Sequence, residues 1–322
     1  MDGRDQTEMD ESPQPTTKKA AKNTRTQKTM DKLKLRRSAR KDSMRIEELV
    51  YDDYYQRIPV LDGFSKKEEL VCKKVVDKDG NIIAGCAAYI YGWGGCYIDD
   101  MWVDEKYRRQ ELGSHALQAV EKAAEERGCH LLWVGTWDFQ ARPYYEKHGY
   151  RVFTAIQDCP QGHTDYNLFK LVDKNAPKRP LKPIDYEVVD GNEKDEEFIG
   201  DQLDNGYNAK HLDIKHDYIK INRKLVNEKG EVVAAIMAGN DDIDVGWIFK
   251  IWVDEKYRNQ GLGTRLVRHF EKKAKETGAT KILSMEIYDW NVGFFLKNGY
   301  KIAGELKDLP KGHCSFILEK DL

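Results

Sequence analysis

Trp102-Val-Asp-Glu-Lys-Tyr-Arg108 recurs letter for letter as Trp252-Val-Asp-Glu-Lys-Tyr-Arg258. The offset of 150 holds outward without a gap: Leu112-Gly113 matches Leu262-Gly263, Gly149-Tyr150 matches Gly299-Tyr300, and Pro160-x-Gly-His163 matches Pro310-x-Gly-His313. Colinearity over such a span marks a duplicated unit rather than a short motif. The copies are expected at residues 44–172 and 184–322. The joint, 173–183, holds Pro177, Pro180 and Pro183 among charged residues, which favours an extended linker.

Each copy reads as the same order of elements. Ile82 to Tyr91 and Val232 to Met237 follow the turn pairs Asp79-Gly80 and Lys229-Gly230, so each is the second arm of a hairpin. A further strand leads into the repeated heptamer. Leu262, Leu266, Val267, Phe270 and Ala274 then form the apolar stripe of a helix, matched by Leu112, Ala116, Leu117, Val120 and Ala124. Strands at Leu131 to Thr136 and Ile282 to Ile287, a short helix ending near Gly149 or Gly299, and two more strands complete each copy. The fold class is therefore α/β: two tandem domains, each a mixed, mainly antiparallel sheet flanked by helices.

At 322 residues the chain has the length of about two domains, and no apolar run approaches the roughly 18 residues of a membrane helix. Its net charge of −2 conceals an asymmetry. Lys18 to Lys41 holds eleven Lys or Arg and one acid, Asp31, leaving an acidic remainder. Residues 1–43 show almost no apolar periodicity and read as a disordered basic arm. Contact with nucleic acid through residues 18–41 would rest on phosphate attraction alone, because no aromatics interleave. Six cysteines without metal-ligand spacing predict no metal site and a reducing, cytoplasmic setting, and the arm lacks the apolar core of an export signal.

The segment Arg258-Asn-Gln-Gly261-Leu-Gly263-Thr264 lies between a strand and a helix stripe. Consecutive N–H groups there can face an anion at the positive end of the helix, with glycine permitting close approach, so a nucleotide-type diphosphate is the expected ligand. Together with the strand, Val-Asp-Glu-x-Tyr-Arg and the short helix ending in Gly-Tyr, it resembles the GNAT superfamily of N-acetyltransferases. Gln140-Ala-Arg-Pro-Tyr-Tyr145-Glu-Lys-His-Gly149-Tyr150 and Pro160-Gln-Gly-His163 are similar to a bacterial single-domain branch.

The resemblance implies acetyl-CoA as donor, a direct attack by a primary amine, and an acid for the departing thiolate. It places the diphosphate on Arg258, Asn259, Gln260, Gly261, Leu262, Gly263 and Thr264, and the pantetheine along Ile251, Trp252 and Val253. It makes Tyr145 the acid candidate. The copies depart from the pattern in opposite ways. The first has Glu111 where the first turn glycine belongs, which predicts poor donor binding through like charge. It keeps Tyr145, and Asp99 alternates with Tyr97 and Met101 on one strand face. The second keeps the turn but has Phe295 in place of the tyrosine, leaving His313 as a candidate proton carrier. The expected protein is an acetyltransferase whose C-terminal copy binds the donor. Its rival is a non-turnover acetyl-CoA sensor, with one copy serving partner recognition. The acceptor is a small-molecule or protein amine, and the acids from Asp195 to Asp213 form a lip that favours a cation. The two copies are expected to pack as a pseudo-dimer within the chain.

Overall fold

The computed structural model describes residues 32–212 and 217–322. Most of the expected basic arm, residues 1–31, lies outside the described residues. The arm's last part is not loose: strand β1 (Lys34–Arg37) and helix α1 (Arg40–Arg57) begin inside it.

The first copy continues through β2 (Glu69–Val76), β3 (Ile82–Ile90), β4 (Gly95–Val103), α2 (Leu112–Arg127), β5 (Leu131–Trp137), α3 (Arg142–Lys147), β6 (Arg151–Gln157) and β7 (Thr164–Leu171). No regular structure spans 173–183. The second copy comprises β8 (Glu187–Asp190), α4 (Glu193–Asp204), β9 (Ile219–Lys220), β10 (Arg223–Val226), β11 (Val232–Asn240), β12 (Val245–Val253), α5 (Leu262–Glu276), β13 (Lys281–Tyr288), α6 (Val292–Lys297), β14 (Lys301–Lys307) and β15 (Cys314–Asp321). In both sheets one central pair is parallel, β4 with β5 and β12 with β13, and the other pairings are antiparallel. The stripes named from sequence are buried: Leu112, Ala116, Leu117, Val120 and Ala124 on α2, and Leu262, Leu266, Val267, Phe270 and Ala274 on α5.

The sheets are not contiguous in sequence. One runs β6-β7-β5-β4-β3-β2-β8; the other runs β1-β10-β11-β12-β13-β15-β14, with β9 on β11. Strand β1, ahead of the first copy, pairs with β10 of the second, and β8, the opening strand of the second, pairs with β2 of the first. The helices follow their strands, α1 onto β12 and α4 onto β2, β3 and β4. The boundaries at 44 and 184 therefore divide the chain but not the folded bodies, because each opening strand and helix completes the other copy's sheet. Equivalent contacts fix both exchanges. Asp42 and Asp195 each cap a helix and pair with Lys224 and Lys74 at 2.7 Å, while Ile46 and Ile199 are almost fully buried.

Candidate active site

Strands β4 and β5 pair only from Gly95 to Ile98 against Leu131 to Val134, and diverge beyond. The wedge between them opens into a cavity of about 930 Å³. Its walls come from β4, the α2 turn, the end of β5, α3, the α4 end and the start of β12, so both copies contribute.

Asp99 and Asp100 both line it. The register of β4 against β3 slips at this point, with Ala87 opposite Asp100 and Ala88 opposite Ile98, so Asp99 is the extra residue of a β-bulge. The bulge breaks the alternation that singled out Asp99 alone and brings its neighbour to the same cavity. Their carboxylate oxygens and those of Glu196 lie within 4.8 Å of one another. Burial and the charge of Asp99 push Asp100 up to about 7, and Asp99 is raised by burial and Glu196. Gly200 on α4 makes room: a Cβ there would stand 2.8 Å from Asp100 Oδ2.

Asp204, Asp165 and Asp241 line the same region, each raised chiefly by burial, Asp165 to about 7. None of these five aspartates has an ion-pair partner among the described residues. Of the acids expected to form a lip over the second copy, Asp204 lines this cavity in the first, and Asp195 is turned away onto Lys74. Asp213 lies outside the described residues. Tyr207 donates to the Phe139 carbonyl at 2.9 Å and Gln140 donates to Asn208 at 2.8 Å, tying the segment after α4 across the cavity.

Tyr145 is 4 % exposed among Tyr144 and Tyr150, lines the cavity, and is held protonated by burial. His313 does not line it. Its Nδ1 pairs with Asp289 at 3.1 Å, and His163 makes the same pair with Asp138, so the contact repeats with the fold.

The two turns share their backbone: Arg108 and Arg258 donate to the carbonyls of Val103 and Val253, and residues 111 and 261 are both left-handed, at φ 66° and 83°. A Cβ added at Gly261 would meet nothing within 4 Å, so an anion can approach the start of α5. Leu262 and Gly263 are buried, and Ile251 and Val253 pack on the core with Phe294. None of residues 251–264 lines the large cavity. In the first copy Glu111 has a counter-ion that sequence did not reveal. Arg179, from the linker, donates to both carboxylate oxygens at 2.9 and 3.0 Å, and this holds Glu111 down at about 2. Arg108, Arg109 and Lys147 also line the cavity, the Arg108 guanidinium lying 5.1 Å over the Tyr207 ring.

Residues 36–150 and 191–300 each match the Acetyltransferase (GNAT) family. The chain belongs to that family. It is an N-acetyltransferase by kinship, in two copies, and its acetyl donor is acetyl-CoA. The blasticidin-S acetyltransferase of Streptomyces morookaense is 34% identical over 116 residues, which is 36% of this chain and 83% of that protein. An acetyltransferase from Bacillus cereus ATCC 14579 is 31% identical, with a TM-score of 0.39, covering 42% of this chain and 96% of its own. An aminoglycoside 6'-N-acetyltransferase complexed with coenzyme A is 15% identical at a TM-score of 0.31, covering 45% and 99%. No helix among the described residues is long and apolar enough to cross a membrane.

Proposed function

We propose that the chain acetylates a primary amine of a small cationic acceptor, with donor and acceptor meeting in the cavity of the N-terminal copy. The polarity of that cavity carries the reading. Arg109 and Lys147 lie by Glu111 at the turn end, where an anionic donor enters, Arg108 reaches over the Tyr207 ring at 5.1 Å, and Asp99, Asp100 and Asp204 line the far end, where an ammonium is attracted. The tied segment at Tyr207 and Asn208 encloses the acceptor end, which favours a small molecule over a folded protein's lysine.

Each group has a task. Asp100, poised near neutrality, takes a proton from the bound ammonium, and the free amine attacks the thioester carbonyl. On the β5 side, the main chain of β4 beyond Ile98 has no strand partner among the described residues, so its N–H groups can polarise that carbonyl. The carbon–sulfur bond breaks, Tyr145 gives its proton to the sulfur, and the second proton of the amine nitrogen, shed as the amide forms, restores the tyrosine while Asp100 passes the first to solvent. In the C-terminal copy Phe249, Lys250 and Phe295 occupy the positions matching Asp99, Asp100 and Tyr145. Lys250 is bound to Glu47 at 3.0 Å.

The turn at Gly261, open at the glycine and without an acidic residue of its own from 258 to 264, favours a second reading, although its Arg258 pairs with Asp53 at 3.1 Å. There the donor rests on residues 251–253 and 258–264, and the N-terminal cavity recognises a ligand without turnover. Contact with nucleic acid through 18–41 gains nothing from the described part, since Lys34 to Arg37 form a sheet edge and α1 follows. A panel of mono- and polyamines assayed for CoA release separates the readings. Turnover that survives Gly261→Glu and is lost in Asp100→Asn supports the first; donor binding without turnover on any amine supports the second.

A further inference from the structure

We infer that Arg179, a linker residue outside both family-matched segments, is a donor-binding residue of the N-terminal copy, parked on Glu111 until the donor's diphosphate replaces that carboxylate. The inference rests on the proposal that the donor enters this cavity.

Glu111 stands at the N-terminal end of the sixteen-residue helix α2, where exposed N–H groups favour an anion. It does so in a left-handed conformation that suits glycine, and glycine is what the matched position 261 has. A strained carboxylate thus occupies the place where a phosphate belongs. Its partner is presented as a fork: the two terminal guanidinium nitrogens of Arg179 face the two oxygens of Glu111, the geometry a phosphate also accepts.

Arg179 is not a stray contact from a loose segment. Gln118 donates to the Arg179 carbonyl at 2.8 Å, His115 Nε2 meets the Lys182 carbonyl at 2.9 Å, and Lys178 pairs with Glu125 at 2.7 Å. Helix α2 therefore holds the linker over its own first turns, with the guanidinium aimed at the turn. Ser114 Oγ and His148 Nε2 lie 3.5 Å from it, and burial with the nearby Arg179 keeps His148 neutral at this end. A diphosphate carries more charge than one carboxylate and offers the same fork acceptor. Glu111, with its side chain about one-fifth exposed, can swing to solvent as it is displaced. The C-terminal turn is built differently: Gly261 has no side chain to displace, Arg265, at the position matching His115, is bound to the Leu33 carbonyl, and the arginine held by a carboxylate is Arg258 of the turn itself, on Asp53 at 3.1 Å.

Calorimetry on the full chain tests this with two probes, acetyl-CoA and S-acetylpantetheine, which lacks the diphosphate. Glu111→Gly is expected to tighten acetyl-CoA binding about tenfold and to leave S-acetylpantetheine unchanged. Arg179→Met is expected to weaken acetyl-CoA at least tenfold in the wild-type and in the Glu111→Gly background, with Arg179→Lys restoring part of the loss. If Arg179→Met has no effect once Glu111 is gone, the arginine only neutralises Glu111 and the inference is overturned. If neither residue changes acetyl-CoA affinity while Gly261→Glu abolishes it, the donor lies on the other copy and the underlying proposal fails with it. Thermal melts of each variant distinguish lost binding from lost fold.

Discussion

Asp100 sets the pH behaviour expected of the site. Its carboxyl is held near 7 by burial and by Asp99, so the base is half-ionised at neutrality. The kcat/KM for an amine is expected to rise with pH through about 7, and Asp100→Asn to remove that limb with a loss of roughly 10²- to 10⁴-fold. An unaltered profile in the variant would exclude Asp100 as the base. The same shift has a cost in stability, and its sign is opposite to that of a paired carboxylate. Folding raises this pKa, so the penalty is absent below the unfolded value near 4, grows as pH rises, and is complete above about 7. Asp100→Asn should therefore raise Tm by a few degrees at pH 8 and change it little at pH 4. Tyr145 and Asp99 were legible in sequence from a motif and from strand alternation. Asp100 was not, because a one-residue bulge resets the alternation and leaves no signature in the letters around it. Glu111 was legible as an anomaly, but its counter-ion lies 68 residues away in a segment without regular structure.

At the level of elements, the duplication and nearly every strand and helix followed from the repeat, whereas the exchange of β1-α1 and β8-α4 did not. The reason is physical: the two pairs carry the same anchoring groups. Lys224 holds Asp42 as Lys74 holds Asp195, and Ile46 and Ile199 fill matching sites, so these anchors fit either sheet; the next position separates them, with Glu47 on Lys250 and Gly200 beside Asp100. Hydrophobic pattern specifies what a sheet edge needs but not which of two similar segments supplies it. The exchange also moved the acidic α4 from the copy it precedes to the copy that holds the cavity. The exchange predicts where damage will appear. Ile46→Ala, in the N-terminal sequence, should cost about 2 to 5 kcal/mol. Hydrogen exchange should then show lost protection in β10, β12 and α5, with β2 to β7 less affected. Loss confined to residues 69–171 would contradict the pairing of β1 with β10.

Across the whole molecule, the copies share a backbone plan but not an interior, and the difference lies where one copy's hairpin meets the other's wedge. The β11–β12 hairpin lines the open cavity with Asp241, Ile243 and Val245. The matching β3–β4 hairpin carries Tyr91 and Trp93, and Trp93 stacks on Tyr91 and Trp133 at 5.3 and 5.6 Å. Those rings share an apolar cluster with Tyr54 and Trp290. Tyr54 and Tyr288 pack 5.3 Å apart, and Tyr288 stacks on Trp290. Aromatic side chains thus fill on one side what small aliphatic ones leave open on the other. One donor per chain is the stoichiometry this asymmetry predicts, and two equivalent sites by calorimetry would exclude it. The hairpin itself offers the sharper test. Ile243 is 8 % exposed and forms part of the cavity wall, and Trp93 shows what its position holds when the space is closed. Ile243→Trp should occupy the acceptor end with an indole that its neighbours Trp137 and Trp247 can stack against. The amine KM is expected to rise tenfold or more, with acetyl-CoA affinity held within about twofold and Tm unchanged or higher, because the ring enters space that is already there. A variant that keeps the wild-type amine KM would show that the acceptor binds elsewhere.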